Sequence, residues 1–81
     1  MNWYVYILEC SDGSLYTGAT NDLESRIKAH NKGAASKYTR SRLPVRLVWS
    51  MQAGYKKNAL LLERQIKSYS RSEKLQLIKQ T

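Results

Sequence analysis

Eighty-one residues are enough for one domain with one modest core and too few for two, so whatever the chain does must happen on a single surface. Fourteen Lys and Arg against six Asp and Glu give a net charge of +8, which makes polyanions, nucleic acid first, the natural partners. The single cysteine, Cys10, excludes an internal disulfide and a Cys-rich zinc site, and the longest apolar run, Ala59-Leu60-Leu61-Leu62, is far too short for a membrane span.

The chain opens on Trp3-Tyr4-Val5-Tyr6-Ile7-Leu8, six β-branched, aromatic or aliphatic residues that cannot all face water. A polar turn, Ser11-Asp12-Gly13, and a second short strand ending in Tyr16-Thr17-Gly18 complete a β-hairpin, expected to form the inner part of a sheet. Each strand carries a tyrosine, Tyr6 and Tyr16. Side chains alternate faces, so the two share a face only if the turn has the right parity. A two-residue Asp12-Gly13 loop would set them on opposite faces. A three-residue Ser11-Asp12-Gly13 loop with Gly13 left-handed pairs Leu8 with Tyr16 and Tyr6 with Gly18, and this is the expected arrangement. The chain has six Tyr and no Phe, a hint that some hydroxyls are used.

Asn21-Asp22-Leu23-Glu24 has the pattern of a capping box, and a helix from about Asp22 to about Lys32 follows, with Leu23 and Ile27 packed on the hairpin and Gly33 closing it. From Gly33 to Pro44 the residues are small and polar, which predicts a loop. It holds Lys37, Arg40 and Arg42 around Tyr38: cations for phosphates and a ring for stacking, against the plainer possibility of a solvated connection. Val45 to Met51 is the third strand, with Val45, Leu47, Trp49 and Met51 on one face. A second helix begins near Lys56 or Asn58 and buries Ala59, Leu62, Ile66 and Tyr69. Ser70-Arg71-Ser72-Glu73 again has the capping-box pattern, so a short last helix with Leu75 and Ile78 ends the chain. The order β-β-α-β-α-α gives an α+β fold: a small three-stranded, antiparallel-type sheet flanked by helices, one domain over residues 1–81.

Arg26 and His30 stand four apart on one helix face beside the stripe that meets the sheet. Glu63 lies on the flank of the second helix's buried stripe, where a carboxylate is costly unless it is paired or bound to a cation; Lys67, one turn on, is the ordinary partner. Singly, each of these residues has an ordinary structural explanation. Together, two tyrosines, an arginine, a histidine and a glutamate supply what metal-assisted phosphodiester hydrolysis needs: a ligand for a hard cation, a charge to balance the phosphoryl group and a proton relay.

Tyr4-Val5-Tyr6 and Tyr16-Thr17-Gly18 resemble the paired tripeptides of the GIY-YIG nuclease superfamily, in its small stand-alone bacterial branch. Tyr6, Tyr16, Arg26, His30 and Glu63 follow in that order at spacings of ten, ten, four and thirty-three residues, similar to the family's layout. Lys37 to Pro44 also resembles the linking segment of that branch. The resemblance implies a divalent-metal-dependent endonuclease acting on DNA ahead of RNA. It makes Glu63 the ligand of one Mg²⁺ or Mn²⁺, Arg26 the phosphoryl stabiliser and Tyr16 the general base, with His30 or Tyr6 orienting water or phosphate. Tyr4 stands where the family has its opening glycine. A nucleic-acid-binding module without turnover is the other reading. With no signal-peptide pattern, no membrane-binding helix and no disulfide-linked partner expected, the chain reads as cytoplasmic.

Overall fold

The computed structural model describes residues 2–80. It contains β1 (Trp3–Glu9), β2 (Leu15–Thr20), α1 (Leu23–Asn31), α2 (Lys37–Arg40), β3 (Arg46–Gly54), α3 (Lys56–Lys67) and α4 (Arg71–Lys79). The strands form one antiparallel sheet in the order β2-β1-β3, an α+β fold as the element order predicts. Met1 and Thr81, the ends of the predicted domain, lie outside the described residues.

The central strand is the most apolar one, because β1 alone is covered by strands on both edges and on both faces. Val5 and Ile7 face a cluster with Trp49, Ala59 and Ile66, under α3 and α4. Tyr6 and Leu8 face the other way and pack with Cys10 and Val45, beside Tyr16, Leu23 and Ile27. The hairpin has the expected parity: Gly13 has φ +83°, Leu8 pairs with Tyr16 and Tyr6 with Gly18. Asp12 stabilises the turn by accepting from the Ser14 backbone N–H at 3.0 Å. Both tyrosines therefore point to the α1 side of the sheet.

Several local expectations are corrected. Helix α1 is capped by Asp22 rather than Asn21: Thr20 Oγ1 accepts from the Asp22 N–H, and the Asp22 carboxylate accepts from the Ser25 N–H at 3.2 Å. The segment read as a loop contains the one-turn helix α2, with the Ser36 hydroxyl accepting from the Tyr38 N–H and Thr39 wholly buried. Burial of one short polar residue supplies the ordering that propensity does not.

Val45, Leu47, Trp49 and Met51 do not share a face. Ile7 pairs with Trp49 but Leu8 with Leu47, so Val48 is an extra residue in the ladder. That bulge reverses the alternation and sends Val45 and Trp49 into different clusters. On α3, Ala59 and Ile66 are buried and Leu62 packs beside them, while Tyr69 joins the same cluster from just beyond the helix. The Ser70–Glu73 capping box is present in both directions. In α4, however, Leu77 packs beside Ile78 whereas Leu75 is 39% exposed. No helix among the described residues is long and apolar enough to cross a membrane.

Candidate active site

The site is built on the α1 side of the hairpin. Tyr6 starts from the central strand and its ring runs across β2 at Gly18, where an added Cβ would overlap the hydroxyl and the ring. Glycine is needed there for space, since any side chain would occupy the volume the phenol fills. At its far end the Tyr6 hydroxyl lies 2.9 Å from His30 Nε2, and His30 Nδ1 lies 2.8 Å from Thr39 Oγ1. His30 is held between strand and α2, and both of its ring nitrogens are partnered, as burial demands. The i, i+4 spacing places Arg26 one turn before His30, on the exposed part of the same helix face.

Around this pair the aromatic rings continue outward. Tyr16 lies against His30 with ring centroids 5.1 Å apart and against Tyr6 at 6.5 Å, and Tyr38 lies 5.9 Å beyond Tyr16. The Arg42 guanidinium caps the row, 4.0 Å from the Tyr38 centroid. The same guanidinium donates from Nε to Asp12 Oδ2 at 3.0 Å and from Nη1 to the Tyr38 carbonyl at 2.9 Å. Arg42 thus ties the hairpin turn to α2 through Nε and Nη1, which leaves only Nη2 to meet an outside phosphate. Lys37 and Arg40 are exposed on α2 and make no ion pair among the described residues, and Arg26 is likewise exposed and unpaired.

The electrostatics agree with this layout. Burial pushes the Tyr6 hydroxyl well above the ordinary phenol value; Tyr16 and Glu63 push it the same way and Arg26 opposes them. Both Arg26 and Glu63 are therefore within electrostatic reach of the Tyr6 oxygen, although they come from different helices. Burial, and then the Arg26 charge, hold His30 below its ordinary 6.5, so at neutral pH the imidazole is uncharged.

Glu63 is mostly buried and lines an open hollow with Leu60, Arg64 and Lys67; its carboxylate pairs with Lys67 Nζ at 3.2 Å. One carboxylate in an open hollow could hold a hard cation that keeps most of its waters, as Mg²⁺ does, once Lys67 is displaced from it. It does not fit a metal held wholly by protein, and among the described residues no three His, Cys, Asp or Glu converge. Of the residues read from the sequence, Tyr6, Tyr16 and His30 are in direct contact, with Arg26 and Glu63 beside them and Tyr38 and Arg42 stacked at the rim. Thr39 and Gly18 escaped the sequence reading as parts of the site. The available signal for Thr39 was indirect: a buried imidazole needs two partners, and a short hydroxyl side chain nine residues downstream is among the few that reach back to it.

The family model described as the GIY-YIG catalytic domain matches residues 2–76. A UPF0213 protein of Clostridium perfringens is 57% identical over 75 residues, covering 93% of this chain and 81% of its own. One from Staphylococcus aureus is 49% identical over 77 residues, covering 95% and 94%. The solution structure of a Bacillus halodurans UPF0213 protein superposes with a TM-score of 0.65 at 49% identity, over 100% of this chain and 86% of the other. That of an E. faecalis protein gives 0.66 at 34% identity, over 99% and 85%.

Proposed function

Because the chain belongs to the GIY-YIG catalytic domain family, a family of nuclease type, we propose that it is a divalent-metal-dependent endonuclease that hydrolyses phosphodiesters in DNA ahead of RNA. The observation that carries this reading is the buried Tyr6–His30 hydrogen bond with the Tyr16 ring packed against both, the Arg26 and Glu63 charges lying within electrostatic reach of the Tyr6 hydroxyl.

A phenol with a raised pKa does not stand as a phenolate at neutral pH, so Tyr6 acts as a base only by handing its proton on as it receives one. Neutral His30 is the acceptor: the proton of an attacking water passes to the Tyr6 oxygen while the Tyr6 proton passes to His30 Nε2. The base role falls to Tyr6 rather than Tyr16 in this scheme, because the Tyr16 hydroxyl has no such acceptor among the described residues. Tyr16 borders the pair and orients the phosphate, and Arg26, unpaired, balances the charge that builds on the phosphoryl oxygens. Glu63 would hold one Mg²⁺ or Mn²⁺, which when bound polarises the phosphoryl oxygen and steadies the leaving group. Lys37 and Arg40 supply backbone contacts, with Tyr38, whose ring face Arg42 covers, at the rim beside them. In this reading the basic protein works in the cytoplasm.

One observation favours a binding module instead: Glu63, the one carboxylate among the described residues within electrostatic reach of Tyr6, is already paired with Lys67. Cleavage of supercoiled, single-stranded and branched DNA and of RNA, with Mg²⁺, Mn²⁺ or EDTA, separates the two. The nuclease reading expects metal-dependent, EDTA-sensitive cleavage of at least one substrate. Binding without cleavage in any metal would favour the module.

A further inference from the structure

Thr39 is fully buried against the site, and the scheme above gives it no role. Its hydroxyl lies 2.8 Å from His30 Nδ1 and 3.3 Å from the Ser36 carbonyl oxygen. A hydroxyl has one proton, so it donates to only one of these two. If it donated to Nδ1, the imidazole proton would sit on Nε2 facing the Tyr6 oxygen, and the buried Tyr6 O–H would have no acceptor among the described residues. The opposite arrangement uses every proton: Tyr6 O–H to Nε2, Nδ1–H to Thr39 Oγ1, and Thr39 O–H to the Ser36 carbonyl. In the unliganded protein all three groups are too buried for water to replace a missing partner cheaply, and the attacking water of the nuclease reading reaches the Tyr6 oxygen only as substrate enters.

We propose that Thr39 is a positioning residue that fixes His30 in the Nδ1–H tautomer, which keeps the Nε2 lone pair turned to the Tyr6 hydroxyl. This is the tautomer that a free imidazole in water disfavours, so it needs a fixed acceptor at Nδ1, and α2 exists as one ordered turn in order to present one. Ser36 contributes twice, capping α2 through its side chain and receiving the Thr39 proton through its carbonyl. The tautomer rests on the hydrogen bonds alone; its use in relaying a proton rests on the nuclease reading.

The chain has one histidine, so the imidazole signals of the 81-residue chain carrying no added histidines belong to His30 alone. Long-range ¹H–¹⁵N correlation spectra at neutral pH distinguish the tautomers without any activity. The wild type is expected to show a protonated-type Nδ1 and an unprotonated-type Nε2. Thr39→Val keeps shape and removes the acceptor, and its spectrum should lose that signature toward the Nε2–H form or an average. Thr39→Ser should restore it. An Nε2-protonated wild type overturns the proposal. So does a folded Thr39→Val protein that keeps the Nδ1–H signature, or a Thr39→Ser protein that lacks it. Where cleavage is observed, Thr39→Val should lower kcat about 10- to 100-fold with KM unchanged, the range by which removing the orienting partner of a metal-bound histidine acts, and Thr39→Ser should recover it. A wild type with the expected tautomer but no cleavage would refute the nuclease reading and leave the role of Thr39 standing.

Discussion

Gly18→Ala tests how the site is packed, because the methyl group it adds has nowhere to go. The new Cβ would overlap the Tyr6 hydroxyl and ring, and Tyr6 is 2% exposed, with the sheet beneath it and His30 at its tip. The ring must tilt off its rotamer, for which overpacking of this kind costs about 1–3 kcal/mol. Tilting also pulls the hydroxyl from His30 Nε2 and leaves buried polar atoms short of partners, about 1–3 kcal/mol more. Replacing glycine lowers the entropy of the unfolded chain and returns about 0.4–1 kcal/mol. The net expectation is a loss of about 2–4 kcal/mol, and at about 4–8 °C per kcal/mol for a domain this size the melting temperature should fall by roughly 10–25 °C. Circular dichroism melts of the wild type, Gly18→Ala, Tyr6→Leu and the double variant make a cycle. In the Tyr6→Leu background the ring is gone, so Gly18→Ala should cost under about 1 kcal/mol. A single variant melting within two degrees of wild type, or one equally costly in both backgrounds, would refute the steric account.

The pH dependence follows from His30, which must be neutral to accept a proton and which burial and Arg26 hold below 6.5; kcat/KM should rise with pH to a plateau with its midpoint under 6.5, and a midpoint above that would contradict the relay. The same depression has a sign for stability. Below 6.5 the unfolded chain binds a proton that the folded chain refuses, so denaturant midpoints should fall on acidification through that window and more steeply than in His30→Gln. Salt should weaken binding, and Lys37→Ala with Arg40→Ala should reduce the log–log slope on duplex DNA by up to about 1.8 in anisotropy titrations. Arg42→Ala should change that slope less than either and lower the melting temperature instead, because its guanidinium is held by Asp12 and Tyr38; a full unit of slope lost at Arg42 would reverse this assignment.

What could be read from the sequence depends on how local each determinant is. The hairpin was legible because Asp12 and Gly13 specify a turn and the shared face of Tyr6 and Tyr16 admits one parity. The last helix was legible because Ser70 and Glu73 satisfy each other within one turn. The Val48 bulge was not, since alternation in β3 is set by its pairing with β1 and nothing within the strand marks the extra residue. Helix α2 was hidden for a related reason: its order comes from Thr39 burying itself under His30, a contact between separate elements. The catalytic reading divides the same way. Tyr6, Tyr16, Arg26, His30 and Glu63 follow from a family pattern, but the fact that Tyr6 has an acceptor, and Arg42 an occupied guanidinium, emerges only when four elements pack together.

Glu63→Gln tests the central claim, that these residues form one metal-dependent hydrolytic site. The change keeps the side chain's shape, removes the cation ligand and breaks a pair with Lys67 that is half exposed on the lysine side and worth a few tenths of a kcal/mol. Cleavage of the preferred substrate with Mg²⁺ or Mn²⁺ should be abolished, while the fold stays intact and nucleic-acid affinity is equal or slightly higher, one repulsive charge having gone. A Glu63→Gln protein that is free of contaminating nuclease, cleaves at the wild-type rate and binds Mn²⁺ in calorimetry as the wild type does would contradict the claim.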